Sequence, residues 1–299
     1  YSQEIEKLES ELTKFHAKIA ISISEKFRFE LIGFHGHTIY HNSEEKISKQ
    51  IGLGNTLSKL TKKTVVYNFR QNDIENGGEG APLAPIYHLS LIRTLLNKKK
   101  IKIPISILNI GGISNTTEIN KNFEISSRDI GPGNCLIDKW IRKNSNMSYD
   151  NNGKIARKGK IDKLILNQYL ENYYYSKLDT KRSLDTNDFD IYFAKGLSLE
   201  NGLATMTAIT AEIISKKIGD NNVYVCGGGR KNNYLIDLLK KKINKKISMI
   251  DDLQLDGDFI ESQAFAFLAI RSFLKLPISF PLTTNCNKPC LGGIIIKNF

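Results

Sequence analysis

Apolar residues recur every three or four positions in several segments of the chain, which is the spacing of one helix face. The first such segment opens the chain, and its apolar positions are Ile5, Leu8, Leu12, Phe15 and Ile19. Helices with a small, apolar face are predicted over residues 202–218 ("GLATMTAITAEIISKKI") and 258–274 ("DFIESQAFAFLAIRSFL"). A further helix is expected over "CLIDKWIRKN", residues 135–144.

Short β-branched runs lie between the helical segments. "KTVVYNF" (residues 63–69) is typical of a buried strand. "ISILNIGGISN" (105–115) and "FEISSRDIGPGN" (123–134) each predict a strand followed by a glycine turn, and "NVYVCGGG" (222–229) does so again before a helix. "LGGIIIKNF" (291–299) predicts a last strand. This alternation of strands and helices indicates an α/β fold with largely parallel pairing.

Composition narrows the class of protein. A chain of 299 residues is long enough for two lobes with separate cores, and 40% hydrophobic with 25% charged residues is typical of a soluble globular protein. No apolar run approaches the roughly 20 residues of a membrane helix, so we expect no membrane partner. Four cysteines are too few for a disulfide framework in a chain of this length, which favours a reducing, cytoplasmic setting.

The net charge of +12 raises the question of a nucleic-acid partner. The lysines are spread along the chain, and their densest run, "KKKINKK" at residues 240–246, lies late in a predicted helix, where it complements the helix dipole. No aromatic residues interleave with that run to stack on bases. We therefore expect no nucleic acid, while a basic nucleic-acid-binding protein stays an alternative.

Two groups of residues raise the question of a metal. Cys286 and Cys290 form an isolated pair without a His or Cys motif nearby, whereas structural zinc sites usually have four ligands. His35, His37 and His41 would share one face of a strand, but spacing alone does not make histidines converge. From these residues we predict no metal-ligand set.

Three glycine turns follow predicted strands, at Gly111-Gly112, Gly131-Pro132-Gly133 and Gly227-Gly228-Gly229. Glycine lets backbone amides approach a ligand, and the start of a following helix suits an anion. Three such turns favour a nucleotide or another phosphorylated ligand. None of them is a Walker A loop or a complete G-x-G-x-x-G motif with its acidic partner.

Carboxylates that suit acid–base or metal chemistry are Asp73, Glu79, Asp129, Asp138, Asp258 and Glu261. Asp73 follows a predicted buried strand and precedes a glycine-rich loop, a position suited to reaching into a cleft. Asp129 directly precedes "IGPGN", where it can hold Mg²⁺ beside a phosphate or cap its own turn. Glu261 begins an apolar helix, so helix capping and ligand binding are both open for it. Glu79 is expected to face solvent.

Several long stretches, in this order along the chain, resemble the anhydro-N-acetylmuramic acid kinase family of the actin-like and sugar-kinase ATPase superfamily. They are "GFHGHTIYH", "VVYNFRQNDIENGGEGAPLAP", "LNIGGISN", "DIGPGNCLID", "KRSLDTNDF", "CGGGRKN" and "DGDFIESQAFAFLAIR". The resemblance implies an α/β, two-lobed actin-like ATPase (ribonuclease H-like) fold. It places residues 1–100, with 276–299 returning, in a first lobe on the sugar side and residues 101–275 in a second, nucleotide-binding lobe.

The resemblance also implies a reaction. An ATP-dependent kinase would open 1,6-anhydro-N-acetylmuramic acid with water and phosphorylate O6, giving N-acetylmuramic acid 6-phosphate in bacterial peptidoglycan recycling and amino-sugar catabolism. By matching motif, Asp73 is the base that activates the attacking water. The implied substrate-binding residues are His35, Gly36, His37, Arg70, Gly77, Gly78 and Glu261. ATP with Mg²⁺ would contact Asn109, Gly111, Gly112, Asp129, Gly131, Gly133, Asn134, Gly227, Gly228 and Gly229.

The chain departs from the family pattern at several places. His37 stands where Gln is usual, Asn68 where Asp is usual, and Leu53 where a polar residue follows "QIG". The family's N-terminal "GTSxDG" phosphate loop is absent, so we expect a first lobe that is N-terminally incomplete and little activity from these 299 residues alone. A catalytically impaired nucleotide-binding protein of the same fold is the second alternative, and a homodimer is possible.

Overall fold

The computed structural model describes residues 2–176 and 183–299. Lys181 and Arg182, which begin the "KRSLDTNDF" stretch, lie outside the described residues. Within the described part of the chain, no helix combines the length and the apolar character needed to cross a membrane.

Contacts divide the chain into two compact units. Unit 1 is Tyr1–Ser90 with Glu261–Phe299, and unit 2 is Leu91–Ile260. From the sequence, lobe boundaries are expected after residues 100 and 275, whereas the units divide after residues 90 and 260. The expected lobes stay a prediction.

Unit 1 is built around a small mixed sheet. Its helices are α1 (Gln3–Ser24), α2 (Gly54–Thr61), α3 (Gln71–Glu75), α4 (Pro85–Asn97, continuing into unit 2), α9 (Ile260–Phe273) and α10 (Pro281–Thr284), and its strands are β1 (Leu31–Phe34), β2 (His37–Asn42), β3 (Ile47–Ile51), β4 (Thr64–Tyr67) and β10 (Ile294–Ile296). β4 pairs in parallel with β1 and antiparallel with β10, while β2 and β3 form a separate hairpin. The last predicted strand is therefore confirmed as β10, which forms an edge of this sheet beside β4.

The predicted opening helix is confirmed as α1, but its apolar residues do not form its buried face. Leu8 is 52% exposed and Phe15 59% exposed, whereas Glu9 and Thr13 are buried. The reason is polar docking onto the start of α2: Gly52 N donates to Glu9 Oε1 at 2.9 Å, and Leu53 N donates to Thr13 Oγ1 at 3.0 Å. Periodicity located this helix without identifying the side that packs.

Unit 2 contains a five-stranded sheet covered by helices. Its strands are β5 (Ile105–Ile110), β6 (Ile113–Ile119), β7 (Ile125–Pro132), β8 (Asn222–Cys226) and β9 (Ile247–Met249), and its helices are α5 (Cys135–Asn144), α6 (Lys163–Tyr175), α7 (Leu199–Lys217) and α8 (Asn233–Lys242). The strand order is β7-β6-β5-β8-β9, with β6 antiparallel to both of its neighbours and β5, β8 and β9 mutually parallel. This is the order of the ribonuclease H-like fold.

The α/β prediction is confirmed, but strand pairing is mixed rather than largely parallel. A two-residue turn, Gly111-Gly112, joins β5 to β6, and so short a link permits only an antiparallel hairpin. The crossover from β7 back to β8, which contains the helices α5 to α7, supplies the length that parallel pairing needs. The polar stretch from 146 to 190 contains the 13-residue helix α6.

Helix α7 forms the centre of unit 2 because it is buried on several faces. Leu203, Met206 and Ile209 pack in a cluster with α5 and α6, whereas Ala211 and Ile214 belong to the cluster on the sheet. Its predicted small apolar residues thus allow close packing on both sides. This packing fixes α5, whose N-terminus follows the glycine turn at Gly131–Gly133, against the sheet.

The buried histidine of α4 makes the stability of the protein depend on pH. His88 is 2% exposed, and burial lowers its pKa from 6.5 to about 4. The unfolded chain therefore binds a proton below about pH 6.5 that the folded chain does not, and stability falls as the pH decreases toward 4. At pH 5.5 the loss from this group is about 1.4 kcal/mol relative to pH 7.5.

We expect His88→Leu to reduce the fall in unfolding free energy between pH 7.5 and 5.5 by about 1 kcal/mol, as measured by urea denaturation. His37→Leu is the matched control, because it makes the same substitution at an exposed histidine of unit 1. An unchanged pH dependence in His88→Leu would contradict this prediction.

Candidate active site

Arg70 joins several of the predicted sugar-site residues in one hydrogen-bond network. Its Nε donates to His35 Nε2 at 3.1 Å, and its Nη1 donates to the carbonyl oxygen of Gly80 at 2.7 Å. The other ring nitrogen of His35, Nδ1, lies 3.0 Å from the carbonyl oxygen of Gly36. The glycine-rich loop after α3 is therefore linked through Arg70 to the turn that precedes β2.

The partners of His35 define its tautomer. Arg70 can only donate, so His35 Nε2 accepts and Nδ1 carries the proton that it donates to Gly36. Burial, with the positive charge of Arg70, lowers the pKa of His35 to about 3. The ring also packs against Phe265 of α9, with centroids 4.4 Å apart. His35 is thus a neutral, fixed ring at neutral pH.

Asp73 lies in the short helix α3 and is 0% exposed. Its Oδ2 accepts a 2.7 Å hydrogen bond from Gly80 N, and its Oδ1 accepts from Thr284 Oγ1 at 2.7 Å and from Ser279 Oγ. A carboxylate has about four lone-pair sites, so these three donors leave about one. The buried carboxylate is thereby satisfied and held in a single orientation.

The loop between α3 and α4 requires glycine where it passes Asp73. A Cβ at Gly78 would overlap the Asp73 carboxylate, and Gly77 lies beside the side chain of Asn287 with φ +82°. Glu79, expected to face solvent, is half-buried and accepts from Asn285 Nδ2 at 2.9 Å. The loop is therefore closed over Asp73, and in this conformation the carboxylate is not exposed to solvent.

The remaining predicted sugar-site residues are exposed. His37 begins β2, and Glu261 lies in the first turn of α9. The three histidines do not follow one regular strand face, because the chain turns at Gly36 (φ +73°) and the β2–β3 pairing shifts between Thr38 and Tyr40. For these two residues the predicted substrate contact stays a prediction.

A cavity of about 470 Å³ in unit 1 includes His35 in its wall. Its other lining residues are Glu9, Phe34, Ser48, Lys49, Gln50, Gly52, Leu53, Gly54, Asn55, Thr56, Tyr67, Asn68 and Gln71. Two of these, Leu53 and Asn68, are positions at which the chain departs from the family pattern, so any change in ligand preference from them would act through this cavity.

The two predicted phosphate turns of unit 2 meet at the ends of β5 and β7. Gly133 N donates to the carbonyl oxygen of Gly112 at 2.9 Å, and Asn134 N donates to that of Gly111 at 2.8 Å. The Asn134 side chain also donates to Gly111 O, at 3.1 Å, and Cys135 N donates to Gly112 O at 3.1 Å. These amides hold the Gly111-Gly112 hairpin in place, so the second turn supports the first instead of offering its own amides to an anion.

The third turn packs against the same end of the sheet. Gly227 has φ +78° and lies against Asn109 and Ile110, while Gly228 has open space around it. Because β5 and β8 are parallel, their carboxyl ends meet, which is where open α/β sheets bind ligands. The predicted nucleotide residues on these strands thus lie together at one end of the sheet.

Buried Arg230 holds the Gly227 turn. It donates to Gly227 O at 3.1 Å and forms ion pairs with Asp251 and Asp258, each at 2.8 Å. Hydrogen bonds from Arg230 hold the pKa of Asp251 below its usual value, and those from Arg230 and Lys231 lower that of Asp258 to about 2. Asp258, considered from the sequence as a chemical carboxylate, is therefore an ion-pair partner of a structural arginine.

Asp129 in β7 is buried, and its Oδ2 accepts from Leu184 N at 2.8 Å. Gly131, two residues later, lies against Ile213 of α7 with φ +150°. A second cavity, of about 360 Å³, has Asn134 and Gly228 in its wall. Asp138 also lines this cavity, and burial raises the pKa of its carboxyl.

Several residues that complete these sites could not be identified from the sequence. Ser279 and Thr284 reach Asp73 from positions more than 200 residues away, and Asp251 does the same for Arg230 from 21 residues away. Neither serine nor threonine in "SFPLTTN" carries a local pattern that points to a carboxylate. Only the return of the chain end to unit 1, which was expected, gave a signal for where they lie.

The strand order of unit 2 and the glycine turns at the carboxyl ends of β5 and β8 define an α/β fold of the ribonuclease H-like class. Comparison with known proteins identifies the particular family: the model of the anhydro-N-acetylmuramic acid kinase family matches residues 2–298, and the chain belongs to this family. Relatives of that name are 51% identical in Pelagibacter ubique (100% of this chain, 82% of the relative), 38% in Zymomonas mobilis (89% and 73%) and 36% in Rhizobium johnstonii (98% and 81%).

Two solved structures overlap the chain in part. The activator of the 2-hydroxyisocaproyl-CoA dehydratase from Clostridium difficile gives a TM-score of 0.38 at 14% identity, covering 58% of this chain and 63% of that one. Component A of the (R)-2-hydroxyglutaryl-CoA dehydratase from Acidaminococcus fermentans gives 0.42 at 11% identity, covering 72% and 80%.

We expect Gly78→Ala to destabilise unit 1 by about 1–3 kcal/mol, because the added methyl group displaces the Asp73 carboxylate from its donors. Urea denaturation measures the change in unfolding free energy. Gly228→Ala is the matched control, since among the described residues no atom beyond its chain neighbours lies within 4 Å of a Cβ added at Gly228. Equal stability of Gly78→Ala and the unmodified chain would contradict the close approach of the loop to Asp73.

Proposed function

We propose that the protein is an ATP-dependent kinase that opens 1,6-anhydro-N-acetylmuramic acid with water and phosphorylates O6. The observation that carries the proposal is the match to the kinase family over nearly the full chain, with 51% identity to one relative of that name. The product would be N-acetylmuramic acid 6-phosphate, formed in the cytoplasm during cell-wall recycling. A homodimer stays a prediction.

Asp73 is the proposed base. It would accept a proton from the water whose oxygen attacks the anomeric carbon, and the bond from that carbon to O6 would break with its electron pair going to O6. O6 then attacks the γ-phosphorus of ATP, and ADP leaves. Ser279, Thr284 and Gly80 support this role because they orient the carboxylate and leave about one lone-pair site, which a water would use once the loop over Asp73 opens.

Arg70 and His35 are proposed to position the sugar side. Arg70 connects His35 to Gly80, and Gly80 in turn connects to Asp73, so a sugar that contacts this network would be held in register with the base. His35 stays neutral at neutral pH, so it offers the sugar a fixed polar ring that carries no charge. Orientation of this kind can supply a large part of a rate enhancement.

The Gly111-Gly112 hairpin is the proposed contact for the ATP phosphates, with the Gly227–Gly229 turn on the adenosine side. The hairpin is held by Gly133 and Asn134, which makes its position independent of the ligand. Mg²⁺ is usually held by one or two carboxylates together with phosphates and water. Asp129, the carboxylate of β7 near these turns, fits that donor set and would hold the ion, which neutralises phosphate charge when bound.

A catalytically impaired nucleotide-binding protein of the same fold is the second candidate. The enclosure of Asp73 favours it, since a base that water cannot reach does not turn over. The two candidates differ in one measurable outcome: an impaired protein binds ATP without forming ADP in the presence of the anhydro sugar. The third possibility, a basic nucleic-acid-binding protein, would show binding to duplex DNA that weakens steeply with salt.

We expect Asp73→Asn to lower kcat for ADP formation from ATP and anhydro-N-acetylmuramic acid by about 10²–10⁴-fold, because the amide cannot take the water's proton. A coupled assay on the protein expressed from its complete open reading frame measures this loss. Glu75→Gln, in the same helix but exposed, is the matched control and should stay near the unmodified rate. Near-normal turnover in Asp73→Asn would refute the assignment of the base.

A further inference from the structure

Asp73 has two neighbours that its hydrogen bonds do not include. Cys286 and Cys290 are both buried and free, and their sulfur atoms lie within 4.8 Å of each other and of an Asp73 carboxylate oxygen. Among the described residues this is the group of three metal-ligating side chains that the fold brings together. Asp73 therefore supplies the third potential metal ligand that the sequence around the cysteine pair does not contain.

The backbone holds both cysteines beside Asp73. Cys290 is bridged to Ser279, with Cys290 N donating to Ser279 O at 3.0 Å and Ile278 N donating to Cys290 O at 2.8 Å. The intervening loop is fixed by Asn287 N, which donates to Asn76 O at 3.1 Å. The two thiols thus enter the site from a segment tied to the same end of unit 1 as α3.

The spacing of the three ligand atoms suits a tetrahedral ion. With bonds of about 2.3 Å to sulfur and 2.0–2.2 Å to oxygen, zinc holds its ligand atoms roughly 3.5–3.8 Å apart. The observed separations, all within 4.8 Å, require side-chain shifts of about 1 Å or less. Three protein ligands leave the fourth position to water, as in open zinc sites.

The surroundings of Asp73 already resemble the outer shell of a metal site. Ligating carboxylates are usually hydrogen-bonded by further groups that orient them. Asp73 receives three such bonds, from Gly80, Ser279 and Thr284, and about one lone-pair site is left to face a cation. The same arrangement that orients a base therefore orients a ligand.

The charge of the pocket changes when a cation enters. Burial, Cys286 and Asp73 together raise the pKa of Cys290 to about 11, so without metal this thiol is protonated, and its Sγ lies 3.0 Å from Lys288 O. A divalent cation replaces the thiol protons, because thiolates rather than thiols are the ligands. It also balances the Asp73 charge inside the protein.

We propose that Cys286, Cys290 and Asp73 form a binding site for a thiophilic divalent cation of the zinc class. Because thiolates rather than thiols are the ligands, binding is coupled to proton release, and it occupies the remaining lone pair of Asp73. Resting on the proposed function, the consequence is inhibition: the cation takes the position on Asp73 that the substrate water needs. The cation is then an inhibitor at the base and has no part in ATP binding.

The test of binding uses cadmium and zinc alone on the full chain, with thiols kept reduced by a phosphine. We expect one Cd²⁺ per chain with an ultraviolet thiolate-to-cadmium band, and affinity lower by more than about 100-fold in Cys286→Ala and in Cys290→Ala. Cys135→Ala, which removes a buried cysteine of unit 2, is the matched control and should bind as the unmodified chain does. No band in the folded, reduced chain, or equal binding by all variants, overturns the site.

A second measurement needs no substitution at Cys286, Cys290 or Asp73. Zinc should raise the melting temperature of the unmodified chain and of Cys135→Ala, since a ligand of the folded state stabilises it. If zinc raises the melting temperature of neither protein, the proposal is overturned.

The activity arm separates this site from the proposed function. The enzyme is loaded with Zn²⁺, freed of unbound metal by desalting and assayed with Mg-ATP, and we expect at least about a 10-fold loss that a chelator of zinc reverses. Metal binding without kinase activity in the metal-free protein refutes the kinase and leaves the site standing. Kinase activity that zinc loading does not change refutes the inhibition.

Discussion

An ionised carboxylate in a protein interior needs hydrogen-bond donors, because an unpaired buried charge costs several kcal/mol. In unit 1 this requirement falls on Asp73, and it is met by one local donor, Gly80 N, and two distant hydroxyl groups, Ser279 and Thr284. Satisfying the carboxylate therefore brings the final segment of the chain back to α3. The same segment carries Cys286 and Cys290, and the chain then continues into strand β10.

Unit 2 is subject to a different constraint, which concerns the backbone groups of its glycine turns. Its glycine turns, the proposed nucleotide contacts, lie at the end of the sheet and must keep their own backbone groups paired. Gly133 and Asn134 pair with the carbonyl groups of the Gly111-Gly112 hairpin, and Arg230 pairs with the carbonyl group of Gly227. The result is one rigid hairpin supported by its neighbours, which is the kind of element that positions a ligand precisely enough for chemistry.

The sequence predicted what depends on local pattern and failed where distant polar groups decide. Helices α1, α5, α7 and α9 were predicted from the sequence pattern, and strand β10 from a short β-branched run. The resemblance to the kinase family then implied roles for Asp73 and for the glycine turns. The docking face of α1 was missed because Glu9 and Thr13 form it, against the apolar pattern. Ser279, Thr284 and the Asp251 partner of Arg230 were missed because no local signal links residues that meet only in the fold.

One lone pair connects the proposed chemistry with the proposed metal site. Each donor that orients Asp73 also occupies a position on its oxygens, and three donors leave about one of roughly four. A substrate water and a cation would both need that position, so they exclude each other. Since the segment that holds the cysteines beside the carboxylate also supplies two of its donors, the fold assembles the proposed base and the proposed metal ligands together.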